Sequence, residues 1–236
     1  MNMHGIEKII SLISLIMAYM IATTLSGSFR AWVAYQFGDD TAEELGFMTL
    51  NPLVHLDFFG GILLLFWGWG WGRHVPINPH KIYGRYRHIK IALAYLSNSF
   101  AHIVMGTVSL TLLMFVFGKK VLFLAIPMVY TGTLLQSDFA NAYPEASSIA
   151  ISLGLIGIAL LFLNVLLAVL DFIISMFRLF TLIFLQENET FNKYKDIFTI
   201  VIPMLMILFL INPLRRFVII LLFSVGEIVV NLFGGI

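Results

Sequence analysis

Long uncharged apolar runs alternate with short polar stretches along this chain. Residues 9–29 form 21 positions without a charged side chain, 91–118 form 28, 146–170 form 25 and 197–214 form 18. A helix rises about 1.5 Å per residue, so about 20 apolar residues cross a hydrocarbon core roughly 30 Å thick. The pattern therefore predicts four membrane spans. Residues 58–72 are uncharged but carry Gly60, Gly61, Gly68, Gly70 and Gly72, short for a span and glycine-rich for a helix; they read as a re-entrant or interfacial segment or as a tilted helix. Residues 121–137 contain Pro127 and read as a short or partial span. Residues 217–236, interrupted by Glu227, either span or lie at the surface as an amphipathic helix. The first run is long for the apolar region of a signal sequence, about 7–15 residues, and reads as a retained span. The expected fold is an all-α membrane protein: a polytopic helical bundle of four to seven spans, re-entrant over 47–72, in a single membrane domain over 1–236.

Composition supports this. Apolar residues make up 60% and charged residues 11%, and mean hydropathy is +0.95; soluble domains have about 45–50% and 25%. A soluble cytosolic enzyme and a disordered chain are both excluded. Fourteen Lys and Arg against thirteen Asp and Glu leave +1, too balanced for a nucleic-acid binder. The absence of cysteine removes disulfides, thiolate metal sites and thiol nucleophiles together. Between residues 73 and 90 stand Arg73, Lys81, Arg85, Arg87 and Lys90, with His74, His80 and His88 and no acid. The positive-inside rule places that loop in the cytoplasm, with Arg215 and Arg216 also facing inward. If the first span ends on the same side, residues 47–72 enter and leave the membrane by one face.

Polar motifs concentrate between residues 34 and 79. They are Ala34 with Gly38-Asp39-Asp40-Thr41-Ala42, then Thr49-Leu50-Asn51-Pro52-Leu53-Val54-His55-Leu56-Asp57-Phe58-Phe59-Gly60, then Gly70-Trp71-Gly72-Arg73-His74-Val75-Pro76-Ile77-Asn78-Pro79. In order and spacing this resembles the site-2 protease family of intramembrane zinc metalloproteases, in its compact branch without a PDZ domain. Asn98 and the stretch Leu163-Asn164-Val165-Leu166-Leu167-Ala168-Val169 are weaker matches. The resemblance covers about residues 10–180 and leaves 181–236 as a C-terminal helical extension.

The resemblance implies a zinc held by the histidines of an H-E-x-x-H helix and by the aspartate of an L-D-G motif. Histidines four apart share one helix face, and the glutamate between them acts as base on zinc-bound water. Counting back from Gly38-Asp39, that motif falls on Ser26-Gly27-Ser28-Phe29-Arg30. Both ligands and the base are replaced, by Ser26, Arg30 and Gly27. No two histidines are four apart and no Asp-Gly dipeptide occurs; Asp171 stands near the expected L-D-G position.

Arg30 either pairs with Asp57 or Asp171 across the former metal space, or snorkels to the headgroups. Asn51 and Pro52 shape a turn. His55 and Asp57 satisfy backbone groups of the re-entrant segment or, with Asp171, form a remodelled metal site. His102 packs against Asn98 or Asn164, and the loop histidines are solvated. Asp171 and Arg178 mark an interfacial or bent helix, and Trp67, Trp69 and Trp71 an aromatic anchor. The expected protein is a catalytically inactive homologue, a pseudoprotease without a cofactor. It would bind transmembrane segments as an adaptor, assembly factor or accessory subunit of a membrane complex. Its partners are the lipid bilayer and other integral membrane proteins, and its place is the bacterial cytoplasmic membrane. The alternatives are an active metallopeptidase with zinc on His55, Asp57 and Asp171, and a small transporter or channel subunit.

Overall fold

The computed structural model describes residues 3–68, 70–131 and 134–184 and scattered positions between 216 and 231. The expected span at 197–214, most of the 181–236 extension, Trp69 and Arg215 lie outside the described residues, as does part of 217–236.

Three helices among the described residues are long and apolar enough to cross a membrane: α1 (Met3–Gln36), α5 (Arg87–Phe117) and α8 (Ser148–Phe184). Between them lie α2 (Thr41–Glu44), α3 (Pro52–His55), α4 (Phe58–Trp67), α6 (Val121–Thr131) and α7 (Gln136–Ala142). The architecture is all-α. Each long helix turns one face inward and a bulky apolar face outward. On α1 the outward stripe is Ile9, Ile13, Met17, Ile21 and Leu25; on α5 it includes Phe100, Val104, Val108 and Phe115. Water would not tolerate such stripes, whereas lipid tails match them.

Inward faces carry small residues. Ala18 and Ala22 are fully buried on α1, and Gly157 of α8 packs closely against Leu113 of α5. Small side chains let backbones approach, and bonds between helices then form. Ser109 donates to the Gly157 carbonyl at 2.8 Å, and Ser175 to the Tyr95 carbonyl at 2.7 Å. At the other end Ser137 of α7 donates to Glu7 of α1 at 3.0 Å, and the Leu134 amide to Ser11 at 3.3 Å. The start of α1 therefore lies with the α5–α8 connection, so α1 and α8 run parallel and α5 antiparallel to both.

Residues 47–72 form a hairpin rather than a crossing. The ten-residue α4 is about 15 Å long. Asp57 caps its start by accepting the Gly60 amide at 2.8 Å, and Gly68, at φ +74°, ends it in the left-handed region. The chain then returns, and Leu56 pairs with Gly72 in an antiparallel bridge. The Arg73 amide donates to the His55 carbonyl at 2.7 Å. A Cβ on Gly60 would collide with the Trp71 backbone, and one on Gly70 with the Gly60 carbonyl, so glycine allows the two limbs to touch. The two limbs meet at one face of the bundle, the arrangement that the charge argument favours.

Candidate functional site

A cavity of about 280 Å³ opens where α1, α5 and α8 meet the returning limb of the hairpin. Thr23, Ser26, Gly27 and Arg30 line it from α1, Asn98 and His102 from α5, and Leu170, Asp171, Ile174 and Arg178 from α8; Asp57 and residues 71–75 close it from the hairpin side. Every position at which the resemblance implies a catalytic group thus falls on this cavity's wall or beside it.

Arg30 behaves in neither expected way. It is 4% exposed, so it does not snorkel, and no ion pair among the described residues includes it. Both candidate carboxylates are already engaged. Asp57 holds the Gly60 amide, and Asp171 accepts from Asn98 and faces His102 Nε2 at 3.3 Å. What Arg30 meets is the Tyr95 ring, 5.6 Å from its guanidinium carbon. Its Nε and Nη2 are buried with no hydrogen-bond partner.

The space beside Gly27 is filled by His55. A Cβ on Gly27 would collide with the His55 ring, which is 1% exposed. His55 Nε2 lies 2.9 Å from the Thr49 carbonyl and 3.2 Å from Ser28 Oγ, and Ser28 also donates to Thr49. His55 therefore anchors the start of the hairpin to α1. Asn51 caps α3, accepting the Leu53 amide at 3.1 Å, with Pro52 in the first turn.

Deeper in the bundle, His102 Nδ1 donates to Asn164 Oδ1 at 2.7 Å, and Asn164 Nδ2 to the Leu160 carbonyl at 2.9 Å. Asn98, His102, Asn164 and Asp171 thus form one network between α5 and α8. Sequence reasoning misses four residues important to the cavity: His74, Arg178, Arg73 and Tyr95. Arg178 Nη1 lies against the edge of the His74 imidazole, 2.8 Å from Nδ1 and 2.5 Å from Nε2, and donates to whichever ring nitrogen carries no proton. His74 thus stands at the cavity mouth, exposed like His80 and His88 but, unlike them, on the cavity wall. Desolvation by the residues crowded around its ring, then the facing Arg178 and Arg30, push the His74 pKa well down. The signal for Arg178 is its charge in an apolar helix; nothing in sequence distinguishes His74 from its neighbours.

Outside the bundle, fully buried Asp39 accepts the Thr41 amide at 3.1 Å and the Asn78 amide at 2.6 Å. It ties the chain after α1 to the loop before α5. Lys81 bonds Asp40 and holds that carboxyl below the usual carboxylate range.

The fold is thus a helical membrane bundle with a polar cavity at one end. The chain is 48% identical over 64 residues to the Bacillus subtilis (strain 168) protein named "Putative zinc metalloprotease YwhC". The matched stretch is 27% of this chain and spans only 29% of that protein's length. No family model and no solved structure matches the chain. The likeness supports a site-2-protease-like family. It also corrects two expectations, that the chain is not an enzyme and that it takes no cofactor: the relative's name points toward a protease and toward zinc.

The donor set at the cavity does not fit that metal. Zinc takes imidazole, thiolate and carboxylate ligands. The positions on α1 offer a serine, a glycine and a guanidinium, whose charge repels a divalent cation. The remodelled set fails as well: His55, Asp57 and Asp171 do not assemble, and no group of three His, Asp or Glu able to hold a metal occurs among the described residues. His55 is turned to Thr49 and Ser28, and Asp57 and Asp171 are held by the bonds above.

Proposed function

We propose that this site-2-protease-like chain receives a segment of another membrane protein in the cleft between α1, α5, α8 and the hairpin. The observation that carries the reading is the cavity itself. It stands where the resemblance implies a peptide-handling centre, and its wall combines apolar Leu170 and Ile174 with polar Thr23, Asn98 and Arg30. In this reading the chain works as an adaptor, assembly factor or accessory subunit of a membrane complex. It sits in a bacterial cytoplasmic membrane with residues 73–90 facing the cytoplasm. A photo-reactive residue at Ile174 tests this against one at Phe115, which is 70% exposed on the lipid face. A co-expressed single-span reporter helix should cross-link from Ile174 well above the yield from Phe115; equal yields would sink the idea.

A second reading, peptide-bond hydrolysis, is favoured by the likeness to a protein named a metalloprotease. Purified chain supplied with zinc and the same reporter helix decides it. Cleavage with one bound zinc per chain supports hydrolysis, and intact reporter without retained zinc counts against it.

A further inference from the structure

The cavity is cationic where a zinc site would have to be anionic. Three guanidiniums line it, from Arg30, Arg73 and Arg178, against two carboxylates, from Asp57 and Asp171. Both carboxylates already hold hydrogen-bond donors. One positive charge is left over. The arginine nearest the bundle interior meets only the Tyr95 ring, and part of its guanidinium is buried without a hydrogen-bond partner. Arg30 is 4% exposed, and its Nε and Nη2 have no partner. Those two nitrogens form one edge of the guanidinium, and their hydrogens point the same way, the fork that grips two oxygens of one oxyanion. A buried guanidinium edge left unsatisfied costs several kcal/mol. Depth narrows the choice of ligand. Arg30 is the first charged residue after the uncharged run 9–29, whose 21 residues cover about 30 Å. By length it therefore stands near the edge of the hydrocarbon core, where the phosphate of a lipid headgroup dipping into the cavity can reach it.

We propose that this cavity binds a phosphate group on the Nε–Nη2 edge of Arg30, with Arg178 alongside, and that the group belongs to an anionic phospholipid. The single negative charge of a phosphodiester neutralises the single positive charge left in the cavity. Arg178 is positioned by its bond to His74, and Asn98 and Thr23 offer further donors from the walls. The inference does not rest on the cleft receiving a polypeptide.

The test uses the full chain purified in neutral detergent. Native mass spectrometry should show phosphatidylglycerol retained in preference to phosphatidylcholine, with about a tenfold loss of retention in Arg30→Gln. Arg30→Lys keeps the charge but not the fork and should lose most of that preference. Arg178→Gln, at a less buried position, should weaken retention even if Arg30→Gln fails to fold. Arg85→Gln, exposed in the loop and stacked on Tyr86, should change nothing. A second arm adds inorganic phosphate and follows thermal unfolding. Stabilisation by phosphate without preference for phosphatidylglycerol would overturn the lipid as the source and leave a soluble phosphate site. Stabilisation by acetate equal to that by phosphate would assign the site to carboxylates and overturn the proposal. So would indifference to every anion and lipid.

Discussion

Gly27 and His55 occupy one volume between them, and that interlock decides what position 27 tolerates. A methyl group there must push a buried ring off Thr49 and Ser28. Gly27→Ala should therefore destabilise the protein by about 1–3 kcal/mol, the usual range for overpacking a close-packed site. Adding His55→Ala should recover part of that loss, as thermal unfolding of the two single variants and the double variant in detergent will show; strict additivity would refute the contact. His74 supplies a second prediction at this scale. Its proton is bound less tightly in the folded chain than in the unfolded one. As pH falls below about 6.5, the unfolded state takes up a proton that the native state refuses, so stability drops. His74→Gln should flatten the Tm profile between about pH 7 and 5; an unchanged slope would mean that His74 titrates normally. The residues at positions 26, 27 and 30, where the resemblance implies H-E-x-x-H, are read directly from the sequence as Ser, Gly and Arg. The group that fills the space beside Gly27 is not legible, because a ring packed from a distant stretch of chain leaves no local pattern. The expected Arg30 ion pair fails for a related reason, since helix capping and the α5–α8 network have already engaged both carboxylates.

At the scale of elements, the hairpin shows how far pattern carries. Five glycines in fifteen residues leave a tilted helix and a re-entrant segment both open, and two of them have a visible purpose in the structure, since Gly60 and Gly70 let the limbs meet backbone to backbone. Gly70→Ala should force the limbs apart and break the Arg73–His55 bond. Hydrogen exchange at the Arg73 amide should then quicken by at least about tenfold, the equivalent of about 1.4 kcal/mol of local opening. Protection equal to that of the parent would remove the contact from the account. Element limits are harder to read. α8 runs past Leu170 through Asp171 and Arg178 to Phe184, although the apolar run stops at 170. Both charges face the cavity, so the helix continues where composition alone ends it. Inter-helix bonds in membranes are modest, and the His102–Asn164 pair should show a coupling of about 0.6 kcal/mol in a double-mutant cycle with leucine; no coupling would detach it from the stability of the α5–α8 contact.

For the whole molecule, hydropathy alone is enough to predict a helical membrane bundle, and the described residues show one. Relative direction is not available from hydropathy; it follows from contacts such as Ser137–Glu7 and Arg178–His74 at opposite ends. Those contacts put residue 83 and residue 145 on opposite sides of the bilayer. Because the chain has no cysteine, Tyr83→Cys and Glu145→Cys can each be labelled alone. A membrane-impermeant maleimide should reach them from opposite faces of sealed vesicles; labelling of both from one face would refute the parallel arrangement of α1 and α8.

The interlock of Gly27 with His55 also limits how the two positions can vary. A carboxylate cannot be placed at position 27 while the imidazole holds its seat, and the imidazole cannot leave without loosening the hairpin it anchors. Each first step toward an acidic residue there passes through a weaker protein, whichever substitution comes first. The packing works as a ratchet, so positions 27 and 55 can change only together, a constraint that no reading of one position at a time would reveal.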